Sequence, residues 1–151
     1  GGTLASGACW PASIAMVLSY FKNTRITPAE VAARYDNDLY RSREAGSYGA
    51  KMCAAAAIDY GLQAETGTEA LSADKIQQAL SVGGKIVMSM RPNDGGGRYA
   101  TVYHYVVLAG LTEDGRVIVN NPGINTDITY DDMAVILNNQ SGRGYGIFYG
   151  S

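Results

Sequence analysis

Imidazole and thiol are both scarce in this chain, which holds one histidine, His104, and two cysteines, Cys9 and Cys53, among 151 residues. A structural zinc centre draws four ligands mainly from cysteine and histidine, and neither a CxxC nor an HExxH pattern occurs, so no metal or other cofactor is expected. Two cysteines could close one bridge, but disulfide scaffolds use several in smaller chains, and these two read as separate thiols. Charge of one sign is lacking too. Twelve Lys and Arg stand against fourteen Asp and Glu, for a formal net charge of −2, and without a run of like charges there is no stripe to hold a phosphate backbone or an anionic membrane. Nucleic acid is therefore not an expected partner. Apolar runs such as "IAMVL" fall well short of the roughly 18–20 residues that span a bilayer, and no charged segment leading into an apolar core precedes it. Neither membrane insertion nor a retained signal peptide is expected.

What is present describes a folded protein: 46% apolar and 17% charged residues, with 19 glycines for turns and close approaches. The length suits one domain over 1–151 with a core that needs no staple. Four segments of the first half carry helix signals. Pro11 suits the first turn of a helix whose body, Ala12 to Tyr20, is almost wholly apolar. "ITPAEVAARY" sets Thr27 as N-cap, Pro28 as first helical residue and Glu30 in capping-box position, for a helix to Tyr35. "YGAKMCAAAAIDYG" is alanine-rich and stops on Gly61, and "LSADKIQQALSVGG" runs from a Ser72 cap to a Gly83 stop.

From residue 85 the pattern changes to short β-branched and aromatic runs, "KIVMSM", "HYVVLAG", "RVIVNN" and "GYGIFYG", parted by turn residues. "LTEDGRV" predicts a hairpin joining Leu111 to Val117. "RPNDGGGRYAT" is expected as a long loop of the kind that borders binding sites, and "NTDITYDD", which lacks the spacing of a calcium hand, as a solvated turn into a last helix near Asp131–Leu137. The fold class is α+β, a helical first half packed on an antiparallel sheet.

Cys9 opens the first helix. There the positive end of the macrodipole and the unpaired N–H groups favour thiolate over thiol, and the same N–H groups can stabilise an oxyanion. Cys53, within "AKMCAAAA", has the setting of a small core residue. A nucleophilic thiol needs a base, and His104, ahead of a continuously apolar strand, is the chain's single imidazole. The next strand returns across the hairpin and ends in Asn120, Asn121 and Pro122. An amide oxygen accepting from the imidazole would fix its tautomer, and because strand residues alternate faces, only one of the two asparagines can serve.

Together "GACWPASIAMVLSYF", "ITPAEVAARY", "YGAKMCAAAAIDYGL", "IQQALSVGGKIVMSM", "HYVVLAGLTEDGRVIVNNPG" and "GYGIFYG" resemble the papain-like cysteine peptidases related to the bacteriocin-processing, double-glycine leader peptidases, in order and spacing over nearly the whole chain. The resemblance implies a papain-like fold with Cys9 as nucleophile, His104 as base and Asn121 as the group that orients it. It also implies a peptide or protein substrate and an acyl-enzyme intermediate. Relatives mostly carry Asp-Pro where this chain has Asn121 and Pro122. They also place a Gln several residues before the nucleophile as oxyanion donor, whereas the first Gln here is Gln63. Either the chain as given begins downstream of that Gln, or Ser6 or Thr3 stands in for it, or the oxyanion hole is incomplete. Trp10 is expected to shape the wall beside the thiol, and Tyr48, Tyr99 and Tyr103 are cleft candidates with core packing as their default. The resemblance and the thiol-poor, tyrosine- and glycine-rich composition point to a bacterial protein acting outside the cytoplasm or at the cell surface. Two other readings stay open: a binding module of decayed chemistry within a larger secreted protein, and an acyltransferase with the same triad. Nothing in the sequence bears on oligomeric state.

Overall fold

The computed structural model describes residues 9–35, 47–91, 104–122 and 127–150, with the backbone alone described for Cys9, Ser47, Tyr48 and Asp127. Among these residues the chain forms α1 (Cys9–Lys22), α2 (Pro28–Tyr35), α3 (Ser47–Asp59), β1 (Gln63–Gly67), α4 (Ala73–Ser81), β2 (Lys85–Met90), β3 (His104–Leu111), β4 (Val117–Asn121), β5 (Asp127–Asp131), α5 (Met133–Asn139) and β6 (Gln140–Tyr149). The starts of α2 and α4 are fixed by the caps read from the sequence. The Glu30 N–H donates to Thr27 Oγ1 at 3.1 Å and the Lys75 N–H donates to Ser72 Oγ at 3.1 Å, each satisfying an N–H that has no partner within its helix. In the β3–β4 hairpin Gly115 takes φ +85°, a left-handed conformation that side chains disfavour, and the Thr112 N–H closes on the Arg116 carbonyl at 2.8 Å.

The six strands form one sheet in the order β1-β6-β2-β3-β4-β5, with every neighbouring pair antiparallel. Helices cover both faces, which is why β2 and β3 read as continuous apolar runs without polar alternation. On one face Val87, Tyr105, Val107 and Phe148 pack with α1, α2 and α3 through Ile14, Leu18, Val31 and Met52. On the other, Ile86, Met88, Val106, Leu108 and Ile147 pack with Ile76 and Leu80 of α4 and Ile136 of α5. The expected α+β class and helix-on-sheet arrangement hold, and α4 and α5 extend them to a third layer.

Two strands were not anticipated. "NTDITYDD" is not a solvated turn: residues 127–131 form β5, paired along β4 from Asn121↔Asp127 to Val117↔Asp131. The following helix starts at Met133, two residues later than expected. β1 is the opposite edge, paired only with β6. The loop expected over "RPNDGGGRYAT" lies, beyond Arg91, outside the described residues.

Cys53 is buried in α3 against the backbone of β6. A Cβ built on Gly146 would stand 2.5 Å from Cys53 Cβ and 2.6 Å from Sγ, so only glycine lets the helix approach this closely. Burial pushes the Cys53 thiol up to about 12, and it forms no disulfide. It is the core residue that its alanine-rich surroundings predict.

Candidate active site

α1 lies on the sheet with its first turn at the His104 end of β3. Ser13, fully buried, donates from Oγ to the Tyr105 carbonyl at 3.2 Å and fastens the helix to the strand. Nearer the other end of the helix the direction is also fixed: the Tyr20 ring sits under Lys85 Nζ at 4.2 Å, and that Nζ donates to the carbonyl of Ala109, further along β3. α1 and β3 therefore run the same way. Cys9 is the first residue of α1 and stands one turn before Ser13 on the same helix face, about 6 Å along the axis, which carries it toward His104. The first turn of α1 also contains Pro11, whose missing N–H loses no hydrogen bond there.

His104 is the first residue of β3, paired across β2 with Met90 and only 6% exposed. Its Nε2–H donates to Oδ1 of Asn121 at the end of β4. An amide oxygen only accepts, so this bond puts the proton on Nε2 and leaves the Nδ1 lone pair free for proton transfer. Burial lowers the His104 pKa from its ordinary value of 6.5 by penalising the charged ring, and the bond to Asn121 opposes that in part. The neutral imidazole is accordingly the resting form near pH 7.

Why Asn121 and not Asn120 meets the imidazole is a matter of register. Near the hairpin Leu111 pairs with Val117 and Gly110 with Ile118, but a bulge follows, and Leu108 then pairs with Val119 and Val107 with Asn120. Ala109 is the extra residue. Continued without the bulge, the hairpin register would have set Asn120 opposite Leu108, on the face of His104. The one-residue shift turns Asn120 to the face of Val107 and brings Asn121 to that of Val106 and His104.

Among the described residues two buried side-chain polar atoms have no hydrogen-bond partner, and both belong to residues next to this pair or its strand partner: Oδ1 of Asn120 and Nε of Arg91, which follows Met90 at the end of β2. Leaving such a group unmade costs roughly 1–3 kcal/mol. No sequence signal marks either position, because orphaned burial is a property of register and packing. Trp10 lies in the core cluster between α1 and the sheet, 3% exposed. Thr3, Ser6, Tyr99 and Tyr103 fall outside the described residues, as do the side chains of Cys9 and Tyr48. Among the described residues no group of three or more His, Cys, Asp or Glu is placed to hold a metal ion, and no helix is long and apolar enough to cross a membrane.

This architecture is shared with known structures. The protein reported as a C39-like peptidase from Bacillus anthracis superposes with a TM-score of 0.70 at 12% identity, over 97% of this chain and 90% of that one. The peptidase domain of Streptococcus ComA, a bifunctional ABC transporter of a quorum-sensing pathway, gives 0.63 at 13% identity, covering 95% and 92%. A double-glycine-motif protease from an AMS/PCAT transporter, solved with its leader peptide, gives 0.58 at 22% identity, covering 99% and 87%. At such identities the likeness is one of fold, the papain-like α+β fold of the C39 peptidases. No curated protein sequence matches the chain. The family description "Peptidase_C39 like" matches residues 4–143, a span that contains Cys9, His104 and Asn121, and the chain belongs to that family of cysteine peptidases.

Proposed function

We propose that the protein hydrolyses a peptide or amide bond with Cys9 as nucleophile, His104 as general base and acid, and Asn121 as the group that holds the ring. His104 Nδ1 takes the thiol proton as sulfur attacks the carbonyl carbon. The imidazolium then gives that proton to the leaving amine as the C–N bond breaks, leaving a thioester on Cys9. Water enters, passes a proton to Nδ1, and displaces the thiolate, which recovers its proton from the ring. The backbone N–H of Cys9 is the proposed oxyanion donor, with Ser6 or Thr3 as its side-chain companion.

The observation that carries this reading is the bond from His104 Nε2–H to Asn121, made at the end of β3 toward which Cys9 is carried. A peptide substrate is favoured by family membership and by the leader peptide bound to the double-glycine-motif protease.

Iodoacetamide near pH 6 tests it: Cys9 should be alkylated much faster than buried Cys53, and His104→Ala should remove the difference. Equal, slow labelling of both thiols would leave a binding module. Peptides offered with and without added amines then separate hydrolysis from acyl transfer, with Cys9→Ala as control.

A further inference from the structure

Arg91 is a cation at the margin of the His104–Asn121 pair, and among the described residues no group answers its charge. It follows Met90, the residue paired with His104, and its backbone N–H is held by the Asn139 carbonyl at 2.9 Å, so the chain is anchored where β2 ends. Its Cα therefore lies about 6–7 Å from that of His104, from one peptide step and one cross-strand spacing. Met90 faces the α4 side and Ser89 the α1 side, where Ser89 pairs with Tyr105. Alternation continued by one residue sends Arg91 to the face covered by α1, the helix that Cys9 opens, while His104 and Asn121 share the other face at the same end of the sheet. Among the described residues the guanidinium has no hydrogen bond or ion pair, its Nε is buried without a partner, and the residue remains partly open to solvent. The ion pairs among the described residues, Lys75–Glu65 and Arg116–Asp114, lie elsewhere.

A partly buried guanidinium on an anchored backbone, with no partner among the described residues, is open to a group from outside. Its flat fork matches a carboxylate, the anion that peptides supply. We propose that Arg91 is a specificity residue that binds a carboxylate of the substrate close to the scissile bond. This rests on the reading of Cys9 and His104 as the reacting pair. An Asp or Glu side chain and a free C-terminal carboxylate offer the same chemistry, and the test separates them.

Binding to the Cys9→Ala protein, measured by calorimetry, needs no turnover. The probes are N-acetylated peptides that carry a single Glu or its isostere Gln at successive positions, each with a free or an amidated C terminus. One carboxylate-bearing set should bind about 10-fold more tightly than its neutral counterpart. Arg91→Gln should reduce that ratio below about 2-fold, and Arg91→Lys, which keeps the charge and loses the fork, should retain part of it. A preference that follows Glu identifies a side chain as the source, and one that follows the free acid identifies the chain terminus. The proposal is overturned if carboxylate and neutral peptides bind alike, if the preference survives Arg91→Gln, or if that variant weakens both sets equally. Alkylation of Cys9 in the native protein reports on the peptidase reading separately, so neither failure hides the other.

Discussion

His104 and Asn121 meet across β3 and β4 because a single extra residue, Ala109, shifts their register by one place. The bond to Asn121 fixes the tautomer and Asn120 takes no part in it, so the two asparagines at the end of β4 should answer mutation in opposite ways. Asn121→Ala should lower kcat by on the order of 10- to 100-fold, as the ring loses its orientation while keeping its chemistry, and His104→Ala by 100- to 10,000-fold. Asn120→Val removes a buried oxygen that has no partner and places a β-branched residue in a strand, so stability should be unchanged or rise by up to about 1 kcal/mol. Urea unfolding and peptide turnover on the three variants check the contrast. A loss of turnover in Asn120→Val as deep as in Asn121→Ala would undo the register argument.

The pH response follows from the same ring. The folded pKa of His104 is depressed below its ordinary 6.5, so between the two values the unfolded chain binds the proton and the folded chain does not. Stability from this group is complete above about pH 6.5 and is lost as pH falls toward the folded pKa. Urea unfolding at pH 7.5 and 5.5 should show that decline, reduced in His104→Gln. Asn121→Asp sets an anion against the ring, favours imidazolium and should move the titration upward. With one histidine in the chain, a single imidazole resonance followed by NMR reads both effects without assignment.

Much of the candidate site is legible in the sequence. Scarcity does the work: one imidazole, one helix-opening thiol and one pair of asparagines after a hairpin leave few combinations. What the residues alone leave open is the choice between Asn120 and Asn121, because a bulge within an apolar strand carries no residue signature, and the resemblance supplies it instead. The edge strands are hidden for a different reason. In β5 the outward-facing Ile128 and Tyr130 are 58% and 54% exposed while Asp131 is 5% exposed, the reverse of the alternation that marks a half-buried strand. Asp131 takes a hydrogen bond from Thr129 Oγ1 at 2.9 Å, which is how a carboxylate is accommodated there. In β1 the sequence "QAETG" has almost no apolar face to read.

Cys53 and Gly146 form a contact that admits no added atom. Gly146→Ala should destabilise by about 1–3 kcal/mol through overpacking against α3. Cys53→Ala should not rescue it, since the nearest obstruction is Cys53 Cβ itself, 2.5 Å away, which alanine retains. With its pKa pushed up to about 12, Cys53 should stay unmodified by thiol reagents at pH 8 until urea unfolds the chain. Melting temperatures of the two single variants and the double variant, with mass spectrometry of alkylated Cys53, test both statements.

Ser13 separates stability from alignment. Its hydroxyl donates to a carbonyl of β3 and is a buried polar link between the helix that begins at Cys9 and the strand that begins at His104. Ser13→Ala removes one hydrogen bond and nearly no volume, so unfolding free energy should fall by only about 0.5–1.5 kcal/mol. The helix is then free to slide on an apolar face, and a misplacement of about 1 Å between nucleophile and base is worth on the order of 100-fold in rate. Alkylation of Cys9 near pH 6 should therefore slow far more than the lost stability explains, while Cys53 stays protected. If Ser13→Ala instead labels at the native rate, packing alone holds the two halves of the site in line, and the hydrogen bond contributes only to the fold.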